Sequence, residues 1–213
     1  MNRRLLYFDL VVALSAFVVF ALTHSPTITW RHNGADSGDL VTAAFTFGVP
    51  HPTGYPLYTM LAALVSRTPF GEPAGNVALA SALASALAIF FLLRAMRRLI
   101  PADSGTPASL VAPVSAALVL AFAPLVWSQS VIPEVYALNL LFVALAIGGM
   151  TSLRPVLTAF ALGMGLAHHL SIIFIIPLAI WYLARARARL TAAAGIALCI
   201  PLLTYLYLPL RAS

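Results

Sequence analysis

Charge is what this sequence has least of. Its 213 residues include 12 basic and 6 acidic side chains, 8% in all, and the basic ones are arginine without a single lysine. A soluble domain carries roughly 25% charged residues, so no aqueous surface can be built from this set. Cysteine is nearly absent too: Cys199 stands alone in an apolar run, which excludes a disulfide framework and a thiolate metal cluster. Internal repeats, low-complexity tracts and interrupted spans in matching halves are missing, and with them the signature of an inverted-repeat transporter.

What is present is oil. Apolar residues make up 62% of the chain, so the bilayer is its solvent. At about 20 residues per crossing, the length admits seven or eight transmembrane helices and no separate aqueous domain. The net charge of +6 would suggest nucleic acid on a soluble chain. Here it sets topology, and nucleic acid is not expected as a partner. Arginine without lysine, with abundant alanine, points to a GC-rich bacterial genome and so to a bacterial cytoplasmic membrane.

Residues 5–24 form a first span, read as an uncleaved anchor because the region near Thr23 is a poor signal-peptide cleavage site. Residues 25–74 follow as a long polar loop with two short apolar runs, 39–48 and 57–66, too short to cross and suited to lie at the interface. Further spans are expected at 75–99, 109–127 and 134–151. Residues 155–184, basic at both flanks, read as a hairpin of two short helices with His168 and His169 at its tip, and 190–209 as a last span. With the N-terminus cytoplasmic, nine arginines (3, 4, 94, 97, 98, 154, 185, 187, 189) fall inside and three (31, 67, 211) outside, as the positive-inside rule requires. The expected fold is therefore an all-α membrane protein of about seven transmembrane helices, one module over 1–213.

This topology gathers the polar residues outside. In DSGD, Asp36 and Asp39 have capping-box spacing before an apolar run. A carboxylate at a helix N-terminus is held ionised and directed, and can also accept a proton. Two carboxylates alone are a weak metal signature; no metal or cofactor is assigned, although a divalent cation is chemically compatible. In HPTGYP, prolines and Gly54 make a rigid bend carrying His51 and Tyr55, where His51 has an ordinary role in local hydrogen bonding. Glu134 and Tyr136 open a span, Glu134 fitting equally an N-terminal helix acid. His168 and His169 need polar partners at membrane depth, which a headgroup, a phosphate or neighbouring helix ends would supply. Arg211 suits either lipid headgroups or a phosphate.

The blocks ADSGDLVTAAFTFGVPHPTGYPLY (35–58), WSQSVIPEVYALNLLF (127–142), GLAHHLSIIFIIPL (165–178) and YLYLPLRA (205–212) resemble the GT-C class of integral-membrane glycosyltransferases. More narrowly, they resemble the membrane family catalogued as domain of unknown function 2723, related to protein O-mannosyltransferases. The chain departs from that pattern at Ala35, Asp39, Thr53 and His168, where the family favours glycine, glutamate, proline and asparagine. The family also continues beyond LPLRAS, which implies a module shortened at its C-terminus. The resemblance implies inverting transfer of a sugar, plausibly mannose, from a polyprenyl-phosphate carrier to a protein or glycan hydroxyl at the outer face. It implies Asp36 as base, Asp39 as its orienting neighbour or a sugar ligand, and substrate contacts from His51, Tyr55, Glu134 and Tyr136. His168, His169 and Arg211 would surround the lipid phosphate. Two other readings stay open: a noncatalytic subunit that binds lipid or scaffolds a larger transferase, and a transporter or flippase.

Overall fold

The computed structural model describes residues 3–100, 107–185 and 191–212, and every regular element among them is helical. In chain order these are α1 (Arg3–Thr23), α2 (Ser37–Thr46), α3 (Pro56–Ser66), α4 (Pro73–Leu99), α5 (Pro107–Ala121), α6 (Pro124–Ser130) and α7 (Val135–Thr151), followed by α8 (Pro155–His168), α9 (Ile176–Arg185), α10 (Ala192–Cys199) and α11 (Tyr207–Ala212). Short 3-10 turns at Arg31–Asn33, Leu170–Ile175 and Ile200–Leu206 link them. Proline opens α3, α4, α6 and α8, where its missing N–H costs nothing and its fixed φ suits the first turn.

Helix α4 is the axis of the molecule. Its 27 residues extend about 40 Å at 1.5 Å per residue, and it packs against α1, α2, α3, α5, α6 and α7. Ala78, Ser81, Ala82, Ser85, Ala86 and Ala88 are buried along it. Small side chains of this kind let helix backbones approach where lipid competes equally for apolar contact. The same device sets α8 between α7 and α10: a Cβ on Gly149 would lie 2.6 Å from Thr158 Oγ1, and one on Gly163 would strike the Leu198 carbonyl. Large apolar side chains face outward instead, among them Leu14, Leu22, Val119 and Phe174, a surface that only hydrocarbon accommodates.

Among the described residues, three helical stretches are long and apolar enough to cross a membrane: Arg3–Thr23, Pro73–Leu99 and Ala192–Ala212. The expected crossing at 109–127 is not one straight helix. Ser109–Ala121 and Pro124–Ser130 meet at 64°, because Ala123 leaves helical geometry before Pro124, with ψ 134°, as proline disfavours helical geometry in its predecessor. Counted as one broken span, the pair makes a fourth. The segments expected at 134–151 and 155–184 form the shorter helices α7, α8 and Leu170–Arg185. The two helices of the first loop, α2 and α3, begin within two residues of the apolar runs. Arg187 and Arg189, and the start of the last expected span, lie outside the described residues.

One ionic group sits inside the helix layer that the sequence reading passed over. Asp9 of α1 is fully buried, with Arg94 Nη1 2.8 Å from Oδ2 and Arg97 Nε 2.8 Å from Oδ1. Each guanidinium takes one carboxylate oxygen, fixing the register of antiparallel α1 and α4. The acids Asp36, Asp39 and Glu134 belong to the opposite end of this layer, where α1 finishes and α4 begins.

Candidate functional site

The site is built on the loop between α1 and α3. Asp36 stands at the N-cap of α2, yet its side chain makes no capping bond and its backbone is helical rather than extended. The capping box expected from DSGD is therefore not formed. The reason is a longer-range partner: Asp39 Oδ2 accepts from both the backbone N and the ring Nδ1 of His51, each at 2.8 Å. A carboxylate accepts, so Nδ1 carries the hydrogen and Nε2 faces onward, 3.8 Å from Asp36 Oδ2. The three groups run in a line with imidazole between the acids. Asp39 is committed, whereas the Asp36 side chain makes no hydrogen bond among the described residues and is exposed over about 57% of its surface.

Electrostatics follow this division. Burial pushes the Asp39 carboxyl up, but the hydrogen bonds and charge of His51 outweigh it and hold the group below the usual aspartate value of 3.8. The Tyr55 phenol is pushed up by burial and by neighbouring Tyr136, Asp36 and Glu134, so it remains a hydroxyl donor.

His51 reaches Asp39 because the chain reverses sharply after α2. Phe47 adopts a left-handed conformation, with Phe47 N donating to Ala44 O and Gly48 N to Ala43 O, a Schellman closure built on a non-glycine residue. Arg67 stacks on the Phe47 ring, its guanidinium carbon 4.0 Å from the centroid, and also donates to the carbonyls of Ala44, Ala63 and Phe45. Arg211 donates to Phe47 O, and the Tyr207 hydroxyl to Gly48 O at 2.8 Å. Cations at a helix C-terminus satisfy orphan carbonyls and oppose the dipole. Arg211 is thus at the far end of α2 from Asp36, about 15 Å away by helix rise; it supports the turn and does not join the acids and histidines. Gly54 completes the bend with φ +87°, and a Cβ there would meet Leu208 at 2.8 Å.

The second wall comes from α6, α7 and the α8 turn. Glu134 precedes α7 and is 2% exposed, its Oε1 without a hydrogen-bond partner. His168 is buried at 1% exposure rather than standing at an open tip; its Nε2 donates to Val135 O at 2.7 Å, fixing the backbone beside Glu134. His169 stacks on Tyr55 with ring centroids 5.7 Å apart and planes 9° off parallel, and lies 5.5 Å from the Tyr136 ring. Between the walls is a cavity of about 440 Å³ lined by Asp36, Gln129, Glu134, Tyr136 and Asn139 above an apolar floor of Leu125, Val126, Leu140 and Val143. A smaller space of about 140 Å³ lies on the other side of Glu134 against α3 and α4.

The structure thus unites Asp36, Asp39 and His51 in one line, and Tyr55, Tyr136 and His169 in one aromatic cluster. Asp36, Glu134 and Tyr136 share the cavity, while His168 lies behind it. Gln129 and Asn139 were not singled out from sequence; their only signal was amide side chains at the edges of apolar spans. Among the described residues no three His, Cys, Asp or Glu side chains form a metal cradle.

Comparison with known proteins matches this assembly to a family. The signature described as "Protein O-mannosyl-transferase TMEM260 N-terminal domain" covers residues 36–192, starting at Asp36 and including both walls. The chain is 33% identical to Protein O-mannosyl-transferase TMEM260 of Mus musculus, over 94% of its own length and 30% of the relative's. It is 26% identical to the tmem260 protein O-mannosyl-transferase of Dictyostelium discoideum, over 79% of itself and 22% of that protein. The chain therefore spans less than a third of these relatives. With most of its length inside the matched region, it is a member of the TMEM260 N-terminal domain family of protein O-mannosyl-transferases.

Proposed function

We propose that this chain is the sugar-transfer module of a membrane O-mannosyltransferase, taking mannose from a polyprenyl-phosphate donor to a hydroxyl of a protein acceptor, with inversion, at the outer face of a bacterial cytoplasmic membrane. The carrying observation is the division of labour between two acids: Asp39 is bound to His51, while Asp36 is uncommitted at the mouth of a cavity with an apolar floor. The names of the relatives support mannose and a protein acceptor; the apolar floor and outward-facing apolar helices support a lipid-borne donor.

In this mechanism the acceptor oxygen attacks the anomeric carbon from the face opposite the phosphate. Its proton passes to Asp36, and the carbon–oxygen bond to phosphate breaks with the electron pair leaving on the phosphate. A phosphate needs no general acid to depart, so one carboxylate base suffices. Asp39 holds the His51 ring so that Nε2 faces Asp36 and can take up the proton in turn. His169, between the two tyrosines, is the imidazole closest in role to the phosphate contact that the resemblance implies, with Tyr55 and Tyr136 as hydroxyl donors beside it.

A positioned base contributes about 10² to 10⁴ in rate. Asp36→Asn is expected to lower kcat by that factor while donor binding changes little, measured with purified protein in nanodiscs, a polyprenyl-phosphate mannose and an acceptor peptide. Full activity in the variant would reject Asp36 as base; absence of transfer by the unaltered chain would favour a lipid-binding subunit.

A further inference from the structure

Three side-chain oxygens around the cavity share an unusual condition. Gln129 Oε1, Glu134 Oε1 and Asn139 Oδ1 are buried without a hydrogen-bond partner, and all three residues line the same cavity of about 440 Å³. Buried polar groups are nearly always paired, and one left unpaired is costly. Their orientations are fixed by what the other end of each side chain does. Gln129 Nε2 donates to His32 O at 2.9 Å; a flipped amide would set oxygen against oxygen, so Oε1 is the free end. His169 Nδ1 accepts from Ser171 N at 3.2 Å and is therefore unprotonated. The Ser171 hydroxyl, 2.8 Å away, must then donate to that nitrogen. Its oxygen is left to accept from Asn139 Nδ2 at 3.1 Å, which again leaves the amide oxygen free.

The free ends of the two amides are acceptors, Asp36 and Glu134 add carboxyls, Asn33, Ser85 and Tyr136 complete the polar lining, and among the described residues no Arg, Lys or His lines the cavity. With two carboxyls and no cation, such a space suits a neutral, hydroxyl-rich ligand over an anion. Its size falls within the range of roughly 300 to 1,000 Å³ typical of small-molecule sites. We infer that Gln129, Glu134 and Asn139 form a sugar-reading wall whose oxygens accept hydrogen bonds from the ring hydroxyls of the donor, with the phosphate held outside the cavity. The inference rests on the glycosyl-transfer reading and adds to it the residues that discriminate the sugar. Asn139 also couples that wall through Ser171 to His169, so the hydroxyl-reading and aromatic parts of the site are mechanically linked.

The test uses the full chain in nanodiscs with two probes, citronellyl phosphate mannose and citronellyl phosphate, and measures binding of each by calorimetry. In the unaltered protein the sugar should raise affinity about tenfold or more, as expected for satisfying buried acceptors. In Gln129→Met and Asn139→Leu that increment should shrink toward unity, while citronellyl phosphate binds as before to Gln129→Met, whose side chain has no tie to His169. Mannose analogues lacking one hydroxyl at a time should reproduce the loss in the unaltered chain, and the variant missing the matching acceptor should not distinguish that analogue from the parent. Because the analogue arm needs no variant, a misfolded mutant leaves it intact. Equal binding of both probes to the unaltered protein, no binding of either, or a full increment in both variants overturns the inference. Transfer assayed on the same preparation separates the two readings: an increment without transfer overturns the proposed reaction alone, and transfer without an increment overturns the wall alone.

Discussion

At the scale of single residues, the two aspartates of DSGD differ because only one has a partner, and this has a pH signature. The Asp39 value is lowered in the folded chain, so its bond to His51 contributes stability above 3.8 and loses it as pH falls through the folded value. Thermal melts of the unaltered protein and Asp39→Asn should therefore differ near neutral pH and converge in acid; a gap that widened on acidification would contradict the assignment. Asp39→Asn should also reduce kcat less than Asp36→Asn does, since it disturbs the orientation of His51 and leaves the base in place. The acidic pair itself was legible in the sequence, but its wiring was not. Spacing of three suggests a capping box, whereas the partner chosen by Asp39 lies twelve residues on, brought back by a left-handed phenylalanine that no local propensity predicts. The same limit applied to Arg211, whose position near the chain's outer end said nothing about which end of α2 it would reach.

At the scale of elements, helix ends and apolar runs were legible: α1, α4, α7 and α8 begin within two residues of the expected segments, because proline and hydropathy mark them. The break between α5 and α6 was not, since an apolar run looks continuous to hydropathy even where Pro124 interrupts the ladder. Close packing was hidden as well. Gly148 and Gly149 are adjacent in sequence, yet a Cβ on Gly148 meets nothing within 4 Å while one on Gly149 lies 2.6 Å from Thr158 Oγ1 and 2.8 Å from Thr158 N. Gly148→Ala should be neutral or stabilising by up to about 1 kcal/mol, from helix propensity. Gly149→Ala should destabilise by about 1 to 3 kcal/mol, from overpacking of α7 against α8. Melting temperatures of the two variants in one detergent check this, and equal shifts would mean the helices pack differently.

At the scale of the whole molecule, charge is polarised along the helices, with Asp9, Arg94 and Arg97 locked together at one end and the site acids at the other. Asp9→Ala leaves two largely covered guanidiniums uncompensated and should cost about 3 to 5 kcal/mol, whereas replacing all three by apolar residues of similar volume should restore much of the loss; unfolding in detergent measures both. If the site faces outward as proposed, cysteines replacing Thr53 and Leu153 in a Cys199→Ser chain should label in opposite ways: Thr53 from outside, Leu153 only after permeabilisation. The reverse pattern would invert the topology. The 64° break at Pro124 reaches further still. By turning α6 aside, it leaves Leu125 of the cavity floor 71% exposed, which for the proposed lipid-borne donor makes a side door onto the acyl chains. A lipid carrier entering there, as the proposed reaction requires, would never quit the leaflet, so occupancy would answer to its mole fraction among the lipids rather than to its molarity, and diluting the bilayer with inert phospholipid should slow turnover at constant total substrate.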